Sequence, residues 1–164
     1  MEYIVTVTRP GQPTDDSPVR YDDETAALLL RRALRQGLFL AVETETGRIT
    51  LSDDGRRITV TPAEPLPKPT VAQRREILAL SVSPGPVEWE YGRRNVVQVR
   101  DGERLLVHRT TVALIDGGYL GPLAGKGNPA HLSLLAYLVI GKGGKDDASL
   151  AAMLRNVYRS SASV

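Results

Sequence analysis

Two histidines, His108 and His131, are the chain's only imidazoles, and it has no cysteine. They stand 23 residues apart, outside any His-x-x-x-His or His-Glu pair that sets two ligands on one helix face, so no metal centre is expected. The lack of thiols removes disulfides, thiolate zinc sites and cysteine nucleophiles together, and points to a reducing, cytoplasmic setting. Four acidic doublets, Asp15-Asp16, Asp22-Asp23, Asp53-Asp54 and Asp146-Asp147, fall where turns and helix caps take aspartate. A hydrolytic carboxylate pair, with His108 or His131 beside it, would have to assemble in space. The run Gly121-Pro122-Leu123-Ala124-Gly125-Lys126-Gly127 resembles a phosphate loop, but it is short and no Ser or Thr follows the lysine to hold magnesium. No Gly-x-Ser-x-Gly elbow is present. The expectation is a protein that binds and does not catalyse, with no catalytic residue, cofactor or small-molecule substrate.

What remains chemically distinctive is arginine. Of 21 basic residues, 17 are arginine and 4 lysine, and guanidinium grips phosphate and carboxylate in bidentate fashion. The net charge of +2 conceals a polarity. Residues 1–66 carry 8 basic and 11 acidic side chains, a net of −3, whereas residues 67–164 carry 13 and 8, a net of +5. An anionic partner would therefore meet the second half.

The elements that must position these residues can be read from periodicity. With 41% hydrophobic and 24% charged residues over 164 positions, the chain can bury a core. No apolar run approaches the ~20 residues that span a bilayer, and the start lacks the pattern of a secretory signal. Residues 3–8 are β-branched and alternate, predicting a strand; a loop of prolines and aspartates follows. Asp22 or Asp23 can cap a helix with Ala26, Ala27, Leu30, Ala33 and Leu34 on one arc and Gly37 as its stop. Strands at 38–44, 48–52 and 57–61 form a meander with Leu38, Leu40, Val42, Ile49, Leu51, Ile58 and Val60 on one face. Phe39, the only phenylalanine, falls on the other face and is the candidate interface residue.

Four prolines between 62 and 69 predict a linker. Beyond it, Thr70-x-x-Gln73 has the spacing of a capping box, and a helix to about residue 80 follows. Strands are expected at 87–91, 95–100 and 104–107, the last two joined by an Asp101-Gly102 hairpin signal. Residues 108–116 form a short helix closed by glycine. Residues 130–140 read either as a helix, with Asn128-Pro129 as its start, or as a strand returning beside residues 119–123. Asp146 or Asp147 can cap a final helix carrying Leu150, Met153, Leu154 and Val157.

The helix at 73–78 and the run from Val107 through Arg109-Thr110-Thr111 to Gly117-Gly118-Tyr119-Leu120 resemble a winged helix, the helix-turn-helix variant in which a short helix precedes a hairpin. The likeness covers well under half the chain and departs from the pattern at residues 89–104 and 135–140. It implies a helix at 109–115 entering a major groove of double-stranded DNA, with His108, Arg109, Thr110 and Thr111 at its start and Lys126 on backbone phosphate. Arg93, Arg94, Arg100 and Arg104 flank the hairpin and would add phosphate contacts.

The expected class is therefore α+β. A β-α-β-β-β domain at 1–62 and a Pro-rich linker at 63–69 precede a basic, winged-helix-like α/β domain at 70–164 that includes the last helix. The expected role is regulatory or architectural DNA binding; the alternative is a protein-interaction or oligomerisation module, such as a homodimer, using the exposed N-terminal sheet face.

Overall fold

The computed structural model describes residues 1–12 and 18–160 and is α+β, with helices and two antiparallel sheets. In chain order the elements are β1 (Glu2–Thr8), β2 (Val19–Asp22), α1 (Asp23–Arg35), β3 (Phe39–Val42), β4 (Ile49–Ser52) and β5 (Arg57–Pro62). There follow α2 (Val71–Ser81), β6 (Val87–Tyr91), β7 (Val97–Asp101), β8 (Arg104–Leu106), α3 (His108–Asp116), α4 (Leu134–Gly141) and α5 (Asp147–Ser160). The chain divides into two compact units, Met1–Pro67 with Leu138–Val164, and Lys68–Tyr137.

The first unit is a five-stranded sheet in the order β2-β1-β5-β4-β3. Alternation turns Val5, Leu40, Val42, Ile49, Leu51, Ile58 and Val60 to one buried face, as their period of two predicts. Helix α1 covers part of it with Ala26, Leu30, Ala33 and Leu34. Its cap is Asp22, whose carboxylate accepts the Thr25 amide at 2.7 Å, and hydrogen bonds from the Thr25 side chain and then from its amide hold that carboxyl below its usual range. Five strands about 4.8 Å apart make a face about 20 Å across, roughly twice the width of a helix. A second helix is needed, and α5 supplies it, packing on β3 and α1 with Leu150, Leu154 and Tyr158 buried. Sequence neighbourhood grouped this helix with the second half; apolar area to be covered places it in the first unit. Asp146 caps it, accepting the Ser149 amide at 2.7 Å, while Asp147 accepts both the amide and hydroxyl of Thr44 at 2.9 Å.

Two further features depart from the sequence reading. β2 pairs with β1 from Glu2↔Asp22 to Val5↔Val19, so the unit runs β-β-α-β-β-β; a lone Val-Arg-Tyr-Asp beside prolines carries no strand signature, and only pairing makes it one. The Pro-rich stretch is partly a packing element, because Pro62 ends β5 and Leu66 is buried. Leu66 lies over Gly47, where φ is +76° and an added Cβ would stand 3.1 Å from the leucine.

The second unit is a three-stranded sheet, β6-β7-β8, with Trp89, Val99 and Leu106 in register on its buried face. Helix α3 packs on β7, and α2 meets α3. Residues 127–130 run along the outer side of β6, with Trp89 N–H bonding the Asn128 carbonyl at 2.9 Å and Gly127 N–H bonding the Trp89 carbonyl at 2.8 Å. The capping box of α2 is complete: Thr70 Oγ1 accepts the Gln73 amide at 3.0 Å, and Gln73 Oε1 accepts the Thr70 amide at 2.8 Å. Thr70→Ala is expected to lower stability by about 1 kcal/mol, measured by urea titration followed by circular dichroism, with Thr70→Ser restoring most of the loss.

Residues 130–140 combine the two readings. Leu120 bridges Leu132, and the helix starts at Leu134, not after Pro129. Its start is set by Ser133, whose hydroxyl accepts the Ala136 amide at 3.2 Å and donates to the Gly118 carbonyl at 2.6 Å. Between α2 and α3 the chain builds a sheet where a winged helix has a compact second helix, and after α3 a single bridge stands in place of the hairpin.

Candidate nucleic-acid interface

Residues 68–137 hold 9 basic and 6 acidic side chains, a net of +3, and the rest of the chain holds 12 and 13, a net of −1. The nine candidate contact residues all fall in the second unit, and the structure sorts them by what already holds each one.

Three cations are answered by acids. Glu90 accepts Arg100 Nε at 3.2 Å on one oxygen and Lys126 Nζ at 3.3 Å on the other. Hydrogen bonds from Arg100 and then Lys126 hold the Glu90 carboxyl below the ordinary glutamate range. Arg104 bonds Glu76 of α2 at 2.6 Å and Asp101 at 3.2 Å. The outward face of the sheet is thus close to neutral, with Glu88 and Glu90 set against Arg100 and Lys126.

Thr111 is fully buried, and its hydroxyl donates to the Val107 carbonyl at 3.1 Å. The carbonyl one turn back is the usual partner of a helical threonine, so Thr111 is part of the core and not of a contact surface. Thr110 is half-buried. His108 is exposed, and its ring Nδ1 lies 2.8 Å from the Val97 carbonyl; a carbonyl only accepts, so Nδ1 carries the proton.

Arg93, Arg94 and Arg109 are exposed and form no ion pair among the described residues. The topology brings them to one end of the unit. β6 leads into the Gly92–Val96 turn and β7 leaves it at Val97, while β8 runs back antiparallel to β7 and delivers α3 beside Val97 through the His108 bond. The turn itself is unusual. Arg94 and Asn95 both have positive φ, +62° and +57°, and Val96 N–H closes on the Arg93 carbonyl, the pattern of a type I′ turn. Asn adopts that conformation readily, whereas for an arginine it costs about 1–2 kcal/mol. Pairing of β6 with β7 over five residues imposes it, and the guanidinium is held out at the hairpin tip. Arg109, in the first turn of α3, adds its charge where unpaired helix N–H groups already favour anions.

Other candidate chemistry remains dispersed. Among the described residues, no three His, Asp or Glu side chains group as metal ligands would. An open hollow of about 380 Å³ on the outer face of α5 is lined by Ala152, Arg155, Asn156 and Arg159, with no acid or imidazole among them. The Asp15-Asp16 doublet lies outside the described residues. No helix among those described is long and apolar enough to cross a membrane. Phe39 is 62% exposed, and the Arg155 guanidinium lies 5.2 Å from its ring centroid.

No protein-family model matches the chain, and neither a curated protein nor a solved structure is detectably similar to it.

Proposed function

We propose that the second unit is a non-enzymatic, double-stranded DNA-binding module, and that it grips phosphate through the end bearing Arg93, Arg94 and Arg109. The observation that carries this reading is the gathering of those three cations, unanswered by any acid among the described residues, at one end of a unit whose other candidate cations are neutralised. Phosphate contacts position a protein without reading sequence. With Thr111 buried, fewer side chains are left for base edges than the winged-helix likeness implies, which favours an architectural over a sequence-selective role.

Fluorescence anisotropy with a labelled duplex tests it. Three phosphate contacts give log Kd a salt slope of about 2.7, and losing one arginine removes about 0.9 of it. Arg94→Asn is the sharper variant because it separates binding from folding: affinity and slope fall, while stability holds or rises by about 0.5 kcal/mol as the left-handed arginine is relieved. Arg109→Ala lowers the slope equally. Binding that ignores both variants would sink the reading. A second reading, protein contact through the open sheet face of the first unit, rests on the exposure of Phe39, but its neighbours in the same row are Ser52 and Arg57, and a lone ring among polar side chains is a small apolar patch.

A further inference from the structure

The two edges of the five-stranded sheet are treated differently. At the β3 edge, Glu43 N–H bonds the Arg48 carbonyl at 2.9 Å, so the antiparallel alternation turns the backbone N–H and C=O groups of Leu40 and Val42 toward the free edge while their side chains stay buried. Arg155 reaches from α5 to that edge, donating to the Leu40 carbonyl at 2.9 Å with its guanidinium beside the Phe39 ring. Asp147 closes the next outward amide, that of Thr44. At the other edge, β2 is paired with β1 alone, and no strand or side chain among the described residues pairs with its outer side. An unpaired edge is a template for another strand.

We propose that this edge pairs with β2 of a second copy of the chain, antiparallel about a two-fold axis at Tyr21. Such an axis, normal to the sheet, keeps each face continuous across the junction, so every residue must oppose one of its own face. Two registers then overlap most of the four-residue strand. One sets Arg20 against the partner's Arg20, a like-charge pair, which destabilises antiparallel strands. The other sets Tyr21 against the partner's Tyr21 and matches Arg20 with the partner's Asp22 twice over. Both side chains can still reach a partner: Arg20 holds Glu2 only through an exposed contact at 3.1 Å, a weak tie, and the exposed Asp22 carboxylate, which caps α1 through Oδ1, has further lone pairs to accept a guanidinium. The sheet would then run continuously through ten strands. Because the edge is short, the dimer forms and dissociates with concentration.

The lack of native cysteine allows a clean test without nucleic acid. In the chosen register the two Tyr21 Cα atoms stand about 4.5–5.5 Å apart, within the reach of a disulfide, which closes at about 4.4–6.8 Å. The Tyr21→Cys variant should therefore cross-link into dimers under mild oxidation. Arg20→Cys should not, since equivalent atoms there lie on the diagonal, about 7–8 Å apart. Sedimentation of the unaltered chain should show mass rising with concentration, and Arg20→Asp, which opposes two acids, should return it to monomer. Cross-linking of Arg20→Cys in preference to Tyr21→Cys would overturn the register. A monomer at every concentration, without cross-links, would overturn the interface, and neither result bears on DNA binding by the second unit.

Discussion

Trp89→Ala is expected to cost about 3–5 kcal/mol, the range for a large aromatic removed from a packed interior, and to do so within the second unit. Trp89 is 1% exposed and stands opposite Val99, which itself stands opposite Leu106; both neighbours are buried. Its backbone also anchors residues 127–128 to the edge of β6. Truncation therefore opens a cavity at the centre of a sheet of only three strands, which has little other apolar area over which to spread the loss. Since Trp89 is the only tryptophan, the readout is hydrogen exchange and circular dichroism in place of fluorescence. Amides of β6, β7, β8 and α3 should lose protection, while those of β1, β4 and β5 keep theirs. A loss below about 0.5 kcal/mol, the usual size for a surface site, would mean that the indole is not the centre of this core.

What the sequence could disclose about this protein follows the range of the interactions involved. Local rules were enough for the strands of the meander, whose alternating Leu40, Val42, Ile49, Leu51, Ile58 and Val60 are all buried, and for the Thr70–Gln73 box, which needs residues three apart. They also found the Asp101-Gly102 hairpin, where Asp101 pairs with Arg104. Features set by pairing over distance were not visible. β2 is a strand because β1 lies beside it, and α5 joins the first unit because one helix cannot cover five strands. The candidate site suffered most, since whether a cation is available depends on acids far along the chain: Glu76 lies 28 residues from Arg104, and Glu90 reaches Arg100 only through cross-strand register. Thr111 shows the same limit. Arg-Thr-Thr at a helix start reads as a contact surface until the packing of α3 on β7 turns the second threonine inward. The left-handed Arg94 gave no signal, because the turn carries neither Asn-Gly nor Asp-Gly.

The Glu90 clamp yields the other large prediction. Its carboxylate occupies both Arg100 and Lys126, so Glu90→Gln removes one negative charge from the sheet face and releases two cations to solvent. Both are already partly exposed, at 41% and 65%, so the fold should tolerate the change. If the released pair reaches duplex phosphate, five contacts replace three. The salt slope of log Kd then steepens from about 2.7 to about 4.5, and affinity at ~50 mM salt rises on the order of tenfold to a hundredfold. An unchanged slope would confine contact to Arg93, Arg94 and Arg109. Acid should imitate the substitution. Arg100 and Lys126 hold the Glu90 carboxyl below its ordinary range, so the ion pairs are intact at neutral pH and are lost only as pH falls through that lowered value. The unaltered protein should therefore keep its pH 7 affinity for duplex through mild acid and gain only below the ordinary glutamate range, at constant ionic strength. In Glu90→Gln, with no carboxyl there to protonate, that acid gain should be absent, and its persistence would show that Glu90 is not its source.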